Sequence, residues 1–276
     1  MKSKKVFKII LLSVAAFLLL NALYVSYEKI QCRRMIDAIE NNDINKLESI
    51  LKISNPNCVP GVGVIDAFSE NIDKQTPLGA ACDKGNFEMV KLLVEDGADV
   101  NYMPLNACTS PLNLATQSAG VDNLKIVKFL LENGAYINNS NLKTMYPAQR
   151  MLDGSNLPPN GMEILEVLLK SGEDSDNEGI LHTACYWKHE EVIRYLVEEW
   201  GYDASDPYYL CAYCYGIDKY SCETLEYFLE RGANPYEKYL ANEFKGEKCA
   251  IEYLQEESPE WAEKLIDLAA SYGITE

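Results

Sequence analysis

Residues Thr76 to Asn101 read TPLGAACDKGNFEMVKLLVEDGADVN, and the rest of the chain is read outward from them. A hydroxyl side chain ahead of proline opens a helix. Thr76 can cap the first turn, and Pro77 stands where a backbone amide would have had no acceptor. Leu78, Ala81 and Cys82 then fall on one helical face. Residues this small let neighbouring helices approach closely. Gly85 marks a turn. A second helix follows, with Val90, Leu92 and Leu93 as its apolar stripe and Glu88, Lys91 and Glu95 outside. Gly97 follows that helix, where a left-handed cap is needed and glycine takes it without strain.

The pattern recurs. Ser110 to Asn139, SPLNLATQSAGVDNLKIVKFLLENGAYINN, opens 34 positions after Thr76 and closes on another Gly-Ala at Gly134. Gly179 to Ser205 is a third copy. Tyr208 to Lys238, ending in LEYFLERGANPYEK with Gly232 after its helix, is a fourth. Thr144 to Ser175 is a degenerate one. In its TPLxxA opening, its turn glycine Gly85, its MVKLLV second helix and its GAxxN close, the chain resembles the ankyrin-repeat family from about Arg33 to the C-terminus. The resemblance implies an all-α solenoid of six or seven helix pairs with short β-turn or hairpin links. No single pair can bury its own apolar face, so neighbours must stack and the ends need caps. Residues 33–54 and 244–274 are the expected caps. Cys58–Lys74, Gly154–Asn160 and Gly216–Ser221 read as insertions that break the strict period.

Before the repeats, Lys2, Lys4, Lys5 and Lys8 precede an uncharged apolar run from Ile9 to Val25. That is the short end of the roughly 17–25 residues that span a bilayer. Lys8 can snorkel, and Tyr24 and Tyr27 can sit at the interface. No polar stripe recurs at the helical period, as a soluble helix would need. The exit from the run offers no small-x-small cleavage pair, which favours a retained signal anchor over a cleaved signal. Residues 1–28 are therefore expected to be a cytoplasmic N-terminus and one transmembrane helix, with residues 29–276 as the repeat domain. Four lysines before the span against Lys29, Arg33 and Arg34 after it point to a cytoplasmic N-terminus and extracytoplasmic repeats.

A formal charge of −17 over 276 residues disfavours a phosphate backbone as partner and suits a basic protein instead. Simple solubility would explain the charge as well. The two histidines, His182 and His189, sit at customary ankyrin positions and read as structural. Gly61-x-Gly63 lacks the lysine and helix of a phosphate loop. Nine cysteines form no compact framework. Cys82, Cys185 and Cys214 share one repeat position, where cysteine packs as a small hydrophobe. Cys211-x-x-Cys214 with Cys222 and Cys249 could be drawn as a zinc site, and Cys211 or Cys222 could enter a disulfide, but packing explains the motif better. The carboxylate pairs Glu190-Glu191, Glu198-Glu199 and Glu256-Glu257 read as solvating charge. The chain is expected to be no enzyme and to need no cofactor, metal, nucleic acid or small-molecule substrate.

Many of the 18 tyrosines crowd the later repeats. Tyr195 and Tyr227 replace leucine in second helices and read as core. Tyr186 and Trp187 follow Cys185 at the end of a first helix, and Tyr215 matches them one repeat on. In ankyrin proteins such positions face the concave groove beside the hairpin tips. Tyr186, Trp187 and Tyr215 are thus the leading partner-binding candidates. Asp83, Lys84 and Gln117 are candidates at other first-helix ends, and Tyr102 and Tyr236 at hairpin tips. Packing against the insertion Gly216–Ser221 is the alternative for the aromatic patch. The expected role is a membrane-tethered interaction module. Inhibition of a toxin or enzyme, and an enzyme whose site goes unrecognised, stand as alternatives.

Overall fold

Lysine 2 begins a helix that no proline or glycine interrupts until Glu40, and its length follows from that. The computed structural model describes residues 2–58, 76–103, 109–137, 146–173, 178–215, 220–238 and 248–276. Beyond Cys58, most of the insertion Cys58–Lys74 lies outside these residues. So do positions 216–219, the expected tip Asn138–Asn141, and Cys108. Among the described residues fourteen helices form seven pairs, and no extended strand is present.

The chain divides into two compact units, Met1–Thr144 and Met145–Glu276. In the first, α1 (Lys2–Glu40) pairs with α2 (Ile44–Leu51), α3 (Pro77–Lys84) with α4 (Phe87–Glu95), and α5 (Pro111–Gln117) with α6 (Asn123–Glu132). First helices pack on first helices, α1 on α3 on α5. Second helices pack on second helices, α2 on α4 on α6. In the other unit the helices are α7 (Pro147–Leu152), α8 (Gly161–Lys170), α9 (Glu178–Tyr186), α10 (Glu190–Trp200), α11 (Pro207–Tyr215), α12 (Cys222–Glu230), α13 (Ala250–Glu257) and α14 (Pro259–Ser271). There α7, α9, α11 and α13 pack in sequence, and α12 packs on α14.

α1 changes character along its length. Its window from Ile10 is long and apolar enough to cross a membrane, and none of that window is buried. From Gln31 onward one face is covered: Gln31, Cys32, Met35, Ala38 and Ile39 are buried against the repeats at helical spacing. The helix passes residues 28 and 29 without a break, so the first helix of the expected N-terminal cap is the end of α1.

The repeat openings fold as their chemistry requires. Thr76 Oγ1 accepts from the Gly79 N–H at 3.0 Å and Ser110 Oγ from the Asn113 N–H at 3.1 Å, each with proline at the first helical position. α7 lacks that hydroxyl, since Tyr146 stands at its N-cap. Glu173, from beyond α8, takes over: its Oε1 accepts from the Ala148 N–H at 2.9 Å. On α4 the buried stripe is Met89, Val90 and Leu93, and Leu92 is only half-buried. Each fully buried aliphatic side chain of this kind contributes about 1.5–3 kcal/mol. Tyr227 is buried as expected, whereas Tyr195 is half-buried.

The expected hairpin links are turns rather than paired strands among the described residues. Side-chain amides bridge the tips instead. Asn57 Nδ2 donates to Gly97 O at 3.0 Å, and its Oδ1 accepts from the Asp99 N–H at 2.7 Å. One repeat on, Asn101 Nδ2 donates to Gly134 O at 2.8 Å and its Oδ1 accepts from the Tyr136 N–H at 2.8 Å. This is the physical role of the asparagine that closes the GAxxN motif. At Gly85, φ is +68° and a Cβ would lie 2.6 Å from Gly120 Cα, so a side chain there is barred twice over.

Candidate partner-binding surface

The ends of successive first helices form one series of equivalent positions. In the first unit that series is polar. Asp83 and Lys84 close α3 and are exposed, and Gln117 closes α5 half-buried. Tyr102 sits half-buried in the turn after α4, its N–H donating to Asp99 O at 3.0 Å. No ring contact involving Tyr102 is seen among the described residues.

In the second unit the ends of α9 and α11 are aromatic. Tyr186 closes α9, Trp187 follows it, and Tyr215 closes α11. The Tyr186 and Trp187 rings meet edge to face at 5.4 Å, and Tyr186 lies 6.1 Å from Tyr215. Tyr215 in turn meets Tyr253 of α13 edge to face at 5.3 Å. The result is a row of four rings over three successive first helices. Tyr253 is buried at its base, Tyr186 and Trp187 are half-buried, and Tyr215 is 46% exposed. Each edge-on pair contributes about 0.5–1.5 kcal/mol beyond its buried area. The rings are therefore held in place before any partner arrives, which lowers the entropy lost on binding. Tyr236 stands apart from the row, half-buried in the turn after α12, with its N–H donating to Asn234 Oδ1 at 3.0 Å.

Sequence reading missed Tyr253. α13 begins at a Cys249 cap, where the Glu252 carboxylate accepts from the Cys249 N–H at 2.9 Å, and Tyr253 lies in the middle of that helix. Its repeat position does not match Tyr215, so alignment of the copies could not pair them.

Lys188 occupies, between α9 and α10, the turn position that Gly85 holds between α3 and α4. It adopts φ +60° with its side chain buried. A left-handed backbone costs a non-glycine residue about 1–2 kcal/mol. The ammonium offsets this by donating to Tyr213 O and lying 4.3 Å from the Tyr213 ring centroid and 5.0 Å from that of Tyr220. Tyr213 is fully buried. Its hydroxyl donates to Glu190 Oε1 at 3.1 Å and accepts from the Ser221 N–H at 3.1 Å. Burial first, and the Glu190 charge second, push its phenol well above the usual range. Glu190 is thus a buried-network acceptor as well as surface charge, a departure from the reading of its pair as solvating alone. Likewise Glu198 Oε1 accepts from Tyr227 OH at 3.1 Å.

The histidines have structural surroundings. His182 stacks on Tyr208 with centroids 4.8 Å apart, and His189 Nε2 lies 3.1 Å from Leu152 O. Cys82, Cys185 and Cys214 are all buried at their shared repeat position. Burial pushes the Cys214 thiol up to about 12 and holds those of Cys82 and Cys185 higher still. Protonated thiols of this kind pack as small apolar groups rather than acting as nucleophiles. Among the described residues no three His, Cys, Asp or Glu side chains converge as a ligand set for a metal.

Comparison with known proteins agrees with this architecture. A family model described as ankyrin repeats (3 copies) matches residues 35–141. A transient receptor potential cation channel subfamily A member 1 homolog from Caenorhabditis elegans is 31% identical over 133 residues, which is 47% of this chain and 10% of that protein. The putative ankyrin repeat protein FPV244 of Fowlpox virus is 33% identical over 81 residues, 29% of this chain and 12% of that protein. The chain therefore spans only about a tenth of the length of either relative. Among solved structures, the human ASB11 ankyrin repeat domain superposes with a TM-score of 0.65 at 21% identity, covering 85% of this chain and 96% of that one. Ankyrin repeats are protein–protein interaction modules and are typically non-enzymatic scaffolds. With its hydroxyl-proline openings, asparagine-bridged tips and stacked helix pairs, the chain has the ankyrin-repeat fold, and its residues 35–141 match the ankyrin-repeat family.

Proposed function

We propose that this protein is a membrane-tethered docking module that takes a basic segment of a protein partner on the aromatic row of its second unit. The row Trp187–Tyr186–Tyr215–Tyr253 carries the reading. It is aromatic, partly exposed and already ordered, as residues that dominate protein interfaces tend to be. The charge of −17 supports a basic partner by steering its approach. Tyr236, at a tip of the same unit, adds a polar contact at the rim. Asp83, Lys84, Gln117 and Tyr102 lie at the equivalent helix ends and tip of the first unit and offer polar contacts there.

The apolar, uncovered window of α1 supports the tether. The lysines before it favour an N-terminus in the cytoplasm and repeats on the far side. In this reading the protein carries no catalytic centre and needs no cofactor. Masking a basic toxin or enzyme at the membrane is a sharper form of the same role.

The test is crosslinking of the full-length protein in its own membrane, followed by mass spectrometry. Tyr186→Ala/Trp187→Ala is expected to reduce recovery of the partner at least tenfold. Unchanged recovery would remove the aromatic row as the docking surface. Labelling intact cells with a membrane-impermeant maleimide tests the orientation. Cys222 is exposed, and it reacts only if the repeats face outward.

A further inference from the structure

Cys32 and Cys58 come from different segments of the first unit, α1 and the chain that follows α2, yet their thiols are hydrogen-bonded to each other. Cys32 is fully buried and Cys58 is 8% exposed. The pairing is held in place rather than incidental. Asn57, next to Cys58, is fixed to the tip of the neighbouring repeat by the two amide bonds to Gly97 and Asp99. On the other side, Cys32 is locked into the covered face of α1 with Met35 and Ile39.

We propose that Cys32 and Cys58 are a disulfide site that ties the apolar helix to the first repeat. The oxidant is a disulfide compound such as oxidised glutathione. The Cys58 thiolate, on the side that reaches solvent, attacks one sulfur of the oxidant and expels one thiolate. Cys32 then loses its proton and attacks Cys58 Sγ, expelling the second. One S–S bond breaks and one forms. The protein loses two electrons and two protons, and the oxidant leaves as two thiols.

The position gives the bond a purpose. The α1/α2 pair is the terminal pair of its unit and packs on α3 and α4. End repeats fray first, because each lacks one neighbour. Here the repeat that would fray carries the long apolar helix. A cross-link from α1 to the residue after Asn57 closes a loop around α2 and removes its freedom in the open state.

The full-length protein, in detergent micelles, would be equilibrated with oxidised glutathione or with dithiothreitol. Free thiols would then be capped with N-ethylmaleimide and the protein digested without reduction. A linked Cys32–Cys58 peptide is expected only in the oxidised sample. Amide exchange over Ile44–Leu51 should slow at least tenfold with it. Both effects should vanish in Cys58→Ser and persist in Cys222→Ser. Recovery of both residues as maleimide adducts from the oxidised sample would overturn the proposal, as would Cys58 joined stably to glutathione or to another cysteine. The wild-type peptide map decides the matter even if Cys58→Ser fails to fold.

Discussion

Glu173 should make the second unit less stable as pH rises. Its carboxyl is 2% exposed, and it replaces the hydroxyl that caps equivalent helices elsewhere in the chain. Oε1 accepts from the Ala148 N–H; Oε2 meets no hydrogen-bond donor among the described residues. Burial pushes its pKa from 4.5 up to about 8, and the Ala148 amide only partly opposes this. The native state then keeps a proton that the unfolded chain releases above pH 4.5. Stability is full below that value and is lost as pH climbs through about 8. Each tenfold difference in proton affinity between the folded and unfolded chain is worth about 1.4 kcal/mol, so the loss would reach roughly 4–5 kcal/mol. The N-terminus of α7 favours the anion by about 0.3–1 kcal/mol or somewhat more. Water entering near the surface reduces the loss further, so about 2–4 kcal/mol is expected. Urea unfolding of wild type and Glu173→Gln, each at pH 5.0 and 8.5, measures it. The amide keeps an acceptor for Ala148 but cannot ionise. Wild type should lose about 2–4 kcal/mol more than the variant between the two pH values. Parallel pH profiles would refute the buried, protonated carboxyl and the capping role built on it.

Two backbone features allow equally direct tests. Gly85→Ala should cost about 2–5 kcal/mol in urea unfolding, from the left-handed backbone plus the overlap with Gly120. Gly97→Ala, with φ +93° and nothing within 4 Å, should cost only about 1 kcal/mol. Equal costs would show that the close approach of the two turns is absent. Asn101→Ala removes the bonds to Gly134 O and from the Tyr136 N–H and should cost about 1–2 kcal/mol. Exchange at the Tyr136 amide should quicken about tenfold in that variant; unchanged protection there would show that the tip is held by something else.

Local chemistry made much of this protein legible in one dimension. A hydroxyl-proline opening states where a helix begins, and a glycine after an amphipathic run states where it ends. Both are satisfied within a few residues, so Thr76, Ser110, Gly97 and Gly134 could be read directly. The apolar run within α1 could be read too, but its continuation to Glu40 could not, because the run ends near residue 28 and the residues from Arg33 read as a cap helix of their own. The candidates Tyr186 and Tyr215 share a repeat position, which is why the alignment of copies found them, and Trp187 adjoins the first.

Other features depend on which distant residues come to lie side by side, and only the tertiary structure decided those. Tyr253 joins the aromatic row from a helix set out of register with its neighbours. Glu173 caps a helix that starts 26 residues before it in the chain. Lys188 sits buried where the repeat pattern asks for glycine, because two tyrosines from later in the chain receive its charge. Cys32 meets Cys58 because α2 folds back on α1. The sequence, through propensities and caps that act over one or two turns, determined the helices and their period. The packing of one pair on the next determined the contacts, since side chains far apart in the chain interact only after the backbone has brought them within a few ångströms.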